Sequence, residues 1–304
     1  MIAVELIAKQ IFDSDNFSIV RCKTGDVNTS YIVSANEKKV FIKIQDKRNF
    51  PAFYNGQIQR EAVGLKTCKK NNIPCPSVLH YDYENKFIVM ECIEYPLLSQ
   101  LWSGLNNSQK TDIKQSALEI TKKINSITSP KFGAIYSSDI EQFDNWGDCY
   151  YHLINVAVED CLFYGTLNKN DSQIILEAVK ENMTCLFNDK IAHFNHLDFH
   201  WNNIFLKQTD DVCEIAGIID FGSSLFVPNY MDLFRLEGGF LYGTERFYTE
   251  RTSKPYQTDD HQLFCADLLN TMDYFVFLSF TSQANRNIRI HIIDICKDYL
   301  NYRK

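Results

Sequence analysis

One polar loop limits the possible folds and functions of this chain more than any other stretch does. It runs from His196 to Asn203 after one apolar run, and two further apolar runs lead from it to Asp220. Asp198, Asn203 and Asp220 offer carboxylate or amide oxygens in this region. Mg²⁺ prefers hard oxygen ligands and usually takes only one or two carboxylates besides phosphate. The spacing within the loop and the short strand that follows it favour a functional site over a chance grouping of polar residues.

The composition is that of an ordinary soluble globular protein. Hydrophobic residues make up 45% and charged residues 23% of the 304 positions, and this length is sufficient for two lobes with a substantial core. No apolar run reaches the roughly 18 to 20 residues of a membrane span, so we expect no membrane partner. The segment from Met1 to Lys9 is typical of an amphipathic helix and not of a secretion signal.

The cysteines indicate a reducing compartment. The chain has ten of them, scattered and without a CxxC pair. Such a pattern is typical of free thiols that pack as small hydrophobic groups. We therefore expect a cytoplasmic protein.

Charge is distributed unevenly along the chain. Residues 1–92 contain 13 Lys and Arg against 10 Asp and Glu, whereas the remainder contains 18 against 28. A mildly basic first part suits anionic phosphates, and an acidic second part suits a small cationic substrate and argues against nucleic acid. An acidic surface that only keeps the protein in solution explains the second part equally well.

The first third of the chain is mainly strand-like. Alternation from Val40 to Ile44 places Phe41 and Lys43 on one face of a strand. A lysine there lies either on a solvated face or in the interior with a partner. The predicted elements are helices at 4–12 and 57–71 and strands at 17–23, 30–34, 39–44, 78–83 and 86–90.

After Pro96 the apolar pattern becomes helical. Ser108 is predicted to cap the longer of the first two helices in this part. A strand-rich first part and a helical remainder predict an α+β body with an N-lobe at residues 1–94, a C-lobe at 95–304 and a cleft between them. The predicted helices are 97–105, 108–127, 146–167, 172–187, 230–242, 260–282 and 286–300.

These motifs, in this order, resemble the aminoglycoside phosphotransferase family, which also includes choline, homoserine, fructosamine and methylthioribose kinases. The resemblance covers nearly the whole chain and is weakest over 243–304. It implies a bilobal protein-kinase-like fold with an antiparallel-sheet N-lobe and a mainly helical C-lobe. The matching blocks are Gly25-x-x-Asn28, Lys43, Arg60-Glu61-Ala62, Ile73-Pro74-x-Pro76, Met90-Glu91, Phe132-Gly133 before a Trp146 helix, His196-x-Asp198-x₄-Asn203, Ile218 to Gly222, and Pro228-x₃-Asp232-Leu233.

The resemblance implies roles for five residues. Asp198 would orient the substrate hydroxyl and accept its proton. Asn203 and Asp220 would bind Mg²⁺ on the phosphates of ATP or GTP. Lys43, held by Glu61, would contact the α and β phosphates, although a Glu61 that is only a surface charge remains an alternative.

The resemblance also implies a nucleotide site in the first part of the chain. Gly25 and Asn28 would lie in the phosphate loop, and the backbone from Met90 through Glu91 to Cys92 would face the base. That loop is poorer in glycine than is usual for the family.

Three further residues of the loop region are compared with the family. Leu197 replaces the usual glycine, His196 is expected to brace the loop, and Asp232 resembles an acid that caps the loop backbone. A zinc cluster of His193, His196 and His200 is an alternative interpretation, but no fourth ligand follows at the usual spacing.

The acceptor is the least defined part of the prediction. Acids at Glu159, Asp160 and Glu237 are candidate partners of a cation, with His200 and Trp201 within the loop. Each acid by itself is better explained as a solvated surface charge, and Trp201 is equally explained as a core residue. We expect a kinase for a hydroxyl of a small cationic molecule, with an aminoglycoside antibiotic as best guess. A metabolic kinase for choline, homoserine, methylthioribose or a sugar, and a catalytically silent nucleotide-binding regulator, remain alternatives.

Overall fold

A computed structural model describes residues 4–22, 28–45, 50–135, 142–209, 212–232, 261–284 and 286–302. The chain forms two compact units, which we call unit 1 and unit 2. Unit 1 comprises residues 1–50, 56–117 and 202–223, and unit 2 comprises 51–55, 118–201 and 224–304. The lobe boundary predicted between residues 94 and 95 stays a prediction beside this division.

Unit 1 is built on an antiparallel sheet of five strands in the order β1-β2-β3-β5-β4. A separate hairpin of β10 and β11 belongs to the same unit. The strands are β1 (Ser18–Arg21), β2 (Asn28–Ala35), β3 (Lys38–Gln45), β4 (Val78–Asp82), β5 (Phe87–Glu91), β10 (Ile204–Gln208) and β11 (Cys213–Ile218).

The two faces of this sheet have different chemistry because side chains alternate along each strand. Val40, Ile42 and Ile44 of β3 pack with the apolar side of the first helix, where Ile7 is almost fully buried. Lys43 points to the other face, where it meets the second helix. The predicted alternation is confirmed.

Unit 2 combines helices with a second sheet of short strands in the order β6-β9-β12-β7-β8. The sequence predicted its helices but not this sheet, because strands of two to four residues are too short to show periodicity. The strands are β6 (Thr128–Ser129), β7 (Phe132–Gly133), β8 (Gln142–Phe143), β9 (Ala192–Asn195) and β12 (Leu225–Val227).

The predicted helices are present wherever the structure describes the chain, with shifted ends. They are α1 (Val4–Phe12), α2 (Gln57–Lys70), α3 (Leu98–Leu101), α4 (Asn107–Asn125), α5 (Trp146–Phe163), α6 (Lys169–Leu186), α7 (His261–Phe280) and α8 (Arg286–Tyr302). The helix predicted at 230–242 lies mostly outside the described residues.

Two helix starts correct the prediction. Asn106, and not Ser108, caps α4: its side chain accepts the Gln109 N–H, and the Gln109 side chain accepts the Asn106 N–H. Asn168 caps α6 in the same reciprocal way with Asp171, so this helix begins before the predicted Ser172. Short polar side chains at these positions satisfy amide groups that a helix start leaves unpaired.

Among the described helices, α7 is long and apolar enough by length and composition to span a membrane. In the structure 72% of that apolar window is buried inside the protein. Phe264 and Phe275 of α7 are almost completely buried, and Phe264 stacks on Tyr299 of α8 with ring centroids 4.0 Å apart. Burial within unit 2 accounts for its composition.

Candidate active site

Three charged side chains meet in unit 1. The Lys43 ammonium on β3 lies 2.8 Å from a Glu61 carboxylate oxygen on α2 and 2.9 Å from an Asp220 carboxylate oxygen. Glu61 is almost fully buried, whereas the Asp220 side chain is 44% exposed. The predicted pairing of Lys43 with Glu61 is therefore present, and Asp220 joins it.

Burial and neighbouring charges have opposite effects on the pKa values of Lys43 and Glu61 in this cluster. Burial by itself would lower the pKa of Lys43, but the carboxylates of Asp220 and Glu61 together raise that pKa above its ordinary value. Burial raises the pKa of Glu61, and Lys43 counteracts this rise. The lysine consequently stays protonated at neutral pH and keeps a fixed positive charge beside the exposed side of Asp220.

The hairpin of β10 and β11 brings Asn203 close to Asp220. Ile204 pairs with Ile218, and the Ile219 N–H donates to the Asn203 carbonyl at 3.0 Å. Of the two predicted metal ligands, Asn203 thus directly precedes β10 and Asp220 lies two residues after the end of β11. Asp220 has φ of 67°, a left-handed conformation that turns the chain sharply after β11.

The donor set at this hairpin fits the Mg²⁺ that the sequence implied. Asp220 offers one partly exposed carboxylate and Asn203 an amide, so further ligands would be phosphate oxygens. Within the described residues, no group of three or more His, Cys, Asp or Glu side chains is arranged around a potential metal position. His193, part of the alternative zinc cluster, instead has its Nδ1 2.7 Å from the Asn125 carbonyl.

The predicted catalytic residue, Asp198, lies in unit 2 on the loop after β9. Its backbone N–H donates to His196 Nδ1 at 3.2 Å, and one carboxylate oxygen lies 3.4 Å from His200 Nε2. The His196 ring is fully buried and packs edge-on against Phe199. These contacts confirm that His196 braces the loop.

Asp232 fixes the backbone of the same loop. Its carboxylate accepts the N–H groups of His196 and Leu197, each at 2.8 Å. Burial raises the pKa of Asp232, although its contacts with His196 and these amides act in the opposite direction. Leu197 has φ of 61°, a conformation that favours glycine, and the two hydrogen bonds hold it there despite its side chain. The predicted capping role of Asp232 is confirmed.

Tyr54 and Asp273 form an acidic neighbourhood with Asp198 that the sequence did not predict. The buried Tyr54 hydroxyl lies 2.8 Å from both the carboxylate and the carbonyl oxygen of Asp273. Burial raises the pKa of Tyr54 strongly, and the charges of Asp273 and Asp198 add to this effect. No sequence signal linked these positions, because they come from three distant segments of unit 2.

The predicted substrate residues occupy different environments. Asp160 accepts the N–H groups of Ala52 and Phe53 at 2.9 and 2.8 Å, so both its oxygens are engaged by backbone. Glu159 is exposed and accepts a hydrogen bond from Asn155. The remaining three are His200 beside Asp198, the half-buried Trp201, and Glu237, which lies outside the described residues.

The predicted nucleotide residues are less fully described. Gly25 lies outside the described residues, and Asn28 begins β2 with its amide donating to Gln57 at 3.3 Å. Met90 is buried and Cys92 half-buried at the end of β5. The Glu91 side chain accepts the Ser77 N–H at 2.9 Å, which lowers the pKa of Glu91.

Comparisons with known proteins found a matching family model and solved structures of similar fold. Residues 3–110 match the model of the fructosamine kinase family. The crystal structure of the aminoglycoside phosphotransferase APH(4)-Ia is similar with a TM-score of 0.63 at 16% identity, covering 99% of this chain and 98% of that chain. Another structure of that enzyme is a ternary complex with AMP-PNP and hygromycin B.

Two further solved structures show the same similarity. A candidate fructosamine-3-kinase from Haemophilus somnus 129PT has a TM-score of 0.65 at 16% identity, with 98% of this chain and 96% of that chain covered. A candidate aminoglycoside phosphotransferase from Ralstonia eutropha JMP134 has a TM-score of 0.64 at 12% identity, with 99% and 98% covered. A comparison with curated proteins found no match.

The chain therefore shares the fold of these solved structures, with antiparallel sheets and a helical part. Its similarities are to aminoglycoside phosphotransferases and fructosamine kinases. The resemblance that the sequence motifs indicated is confirmed at this level.

Proposed function

We propose that the protein is an ATP- or GTP-dependent phosphotransferase that moves the γ-phosphate to a hydroxyl of a small cationic molecule. One observation carries the proposal: Lys43 bonds to Glu61 and Asp220 at once. A buried lysine with fixed charge beside a partly exposed carboxylate provides both the cation and the metal ligand that a triphosphate requires. A catalytically silent regulator has no need of Asp198 and Asn203 in addition to these three residues.

Each residue of the site has a distinct task in this mechanism. Lys43 contacts the α and β phosphates, and Glu61 keeps its ammonium oriented. Asp220 and Asn203 would hold Mg²⁺, which would supply positive charge to a bound triphosphate. Asp198 orients the acceptor hydroxyl and takes its proton; alignment matters more than base strength, because the transition state resembles metaphosphate.

We propose a polyhydroxylated amine as the acceptor, with an aminoglycoside as the best guess. The acidic groups at Asp198 and Asp273 around Tyr54 support a cationic substrate. A fructosamine is the second candidate, because residues 3–110 match the fructosamine kinase model. With a fructosamine as acceptor the role of the enzyme would be metabolic, whereas with an aminoglycoside as acceptor it would be antibiotic resistance. Ten free cysteines agree with a cytoplasmic location.

A coupled assay of ADP or GDP release tests the proposal. The acceptor panel contains aminoglycosides, fructosamines, macrolides, choline, homoserine and methylthioribose, each with and without Mg²⁺. We expect turnover with at least one amine-bearing acceptor. Failure of every acceptor to stimulate release, together with failure to bind either nucleotide, would contradict a kinase.

The Asp198→Ala variant tests the mechanism. We expect kcat to fall by about 10²–10⁴-fold while nucleotide affinity is retained, because a positioned base contributes on that scale. Asp198→Asn keeps the shape of the side chain and separates proton acceptance from alignment. Asp144→Ala, which removes an exposed carboxylate from the same unit, is the control and should keep full activity. Full activity of Asp198→Ala would remove the assigned role.

A further inference from the structure

Helix α2 presents one continuous face to the residues that follow β11. The face consists of Gln57, Arg60, Glu61 and Gly64, at the i, i+3, i+4 and i+7 spacing that places side chains in one row. We call Asp220, Phe221 and Gly222 the Asp220 turn. All of these residues belong to unit 1.

Each residue of the Asp220 turn has its own contact on this face. The Glu61 carboxylate accepts the backbone N–H of Asp220. Phe221 packs so closely on Gly64 that a Cβ added there would lie 2.9 Å from the Phe221 Cβ. Arg60 Nε donates to the Gly222 carbonyl at 2.7 Å. The turn is thus held by a charge, by packing and by a hydrogen bond in succession.

These contacts flank a residue in an unfavourable conformation. Asp220 has φ of 67°, and a non-glycine residue there persists only when its surroundings over-determine it. Glu61 fixes its amide on one side, and Arg60 fixes the chain two residues later. The orientation of the Asp220 carboxylate toward Lys43 therefore depends on both ends of the turn.

The burial of Arg60 also requires an explanation. Only 5% of this residue is exposed, and burying a guanidinium is strongly unfavourable unless its contacts compensate. A hydrophobic side chain of similar volume would fill the same space at lower cost. The short, charge-assisted hydrogen bond to Gly222 offsets part of the cost of burying the guanidinium.

We propose that Arg60 is a positioning residue that fixes the Asp220 turn, and through it sets the affinity of the site for the Mg²⁺-nucleotide. This inference rests on the proposed function. Arg60 acts through the backbone of Gly222 on Asp220. Arg60 is the residue before Glu61 in α2, so it adds a second contact of this helix to the turn that Glu61 already contacts.

The test measures binding of a fluorescent ATP analogue at a series of Mg²⁺ concentrations, separately from turnover. Arg60→Met removes the hydrogen-bond donor and keeps the aliphatic stem. We expect affinity for the Mg²⁺-analogue to fall about tenfold or more, the scale of a lost hydrogen bond from a charged group. Binding without Mg²⁺ should change much less.

A double-mutant comparison separates positioning from a general structural role. Once Asp220 is replaced by Ala, Arg60→Met should cause no further loss of Mg²⁺-dependent affinity, because its effect passes through Asp220. Arg289→Met is the matched control: it removes an arginine that bonds to Asp171 in unit 2 and should leave nucleotide affinity unchanged. Arg60→Lys keeps the charge and provides a milder variant if Arg60→Met does not fold.

The outcomes are distinguishable. Wild-type protein that binds no Mg²⁺-nucleotide would overturn the proposed function and this inference with it. Wild-type protein that binds normally, with folded Arg60→Met or Arg60→Lys of unchanged Mg²⁺ dependence, would overturn the positioning role alone. Equal losses in the wild-type and Asp220→Ala backgrounds would also overturn it.

Discussion

The two units stabilise their buried carboxylates in different ways. In unit 1, Glu61 is bound by the Lys43 ammonium, so a charge balances a charge. In unit 2, Asp232 is bound by the backbone N–H groups of His196 and Leu197, so polar amides balance a charge. Glu61 contacts the candidate phosphate-binding Lys43, and Asp232 contacts the two residues that precede the candidate catalytic Asp198.

The difference follows from what each carboxylate has to fix. Lys43 is a long side chain whose charged end must point in one direction, and an opposite charge fixes that end. Asp232 fixes the shape of the backbone, including the left-handed Leu197, and this requires acceptors for N–H groups. An ion pair orients a side chain, whereas a carboxylate bound to amides shapes a loop.

The largest expected effect comes from breaking the ion cluster. Lys43→Met leaves two carboxylates near each other without their cation, and removal of one partner from a buried pair costs about 3–5 kcal/mol. We expect a loss of that order in the free energy of unfolding, measured with denaturant, and loss of nucleotide binding.

A lysine on the same strand is the control for this variant. Lys39 pairs with Glu94 at the surface, and Lys39→Met should hardly change stability, because exposed pairs contribute little. Equal effects of the two substitutions would mean that the Lys43 cluster is not a tightly coupled unit.

An intermediate effect is expected in unit 2. Asp232→Ala leaves the His196 and Leu197 N–H groups without their acceptor, and unsatisfied buried groups cost about 1–3 kcal/mol. Because two N–H groups lose their acceptor, we expect a loss of about 2–3 kcal/mol in the free energy of unfolding, measured with denaturant. Asp232→Asn keeps one of the two acceptor oxygens and should lose less; an equal loss would contradict separate contributions of the two hydrogen bonds.

The smallest effect concerns packing in unit 1. Gly64→Ala forces its Cβ against Phe221, which is expected to cost about 1–3 kcal/mol, partly offset by the better helix propensity of alanine. Gly104 has no atom within 4 Å of an added Cβ, so Gly104→Ala is the control. Thermal unfolding of both variants provides the measurement. A Gly64→Ala protein as stable as Gly104→Ala would show that the Asp220 turn moves away freely.

Local sequence predicted much of the fold and the identity of the central residues. Helices α1 and α2 and the strands of the first sheet follow from periodicities of 3.6 and 2, which a sequence displays directly. Helix starts were shifted because the capping residues Asn106 and Asn168 precede the apolar pattern. The short strands of unit 2 have too few residues for any period to appear.

The sequence by itself determined which residue types are available: a lysine on an apolar strand, a glutamate on the next helix, and oxygen ligands around a hairpin. Only the tertiary structure decided that Arg60 holds Gly222 and that Tyr54 lies with Asp273 and near Asp198. The same physical reason explains both contacts. A buried polar group must find a partner, and nothing in the order of residues specifies a partner that folding brings from more than a hundred positions away.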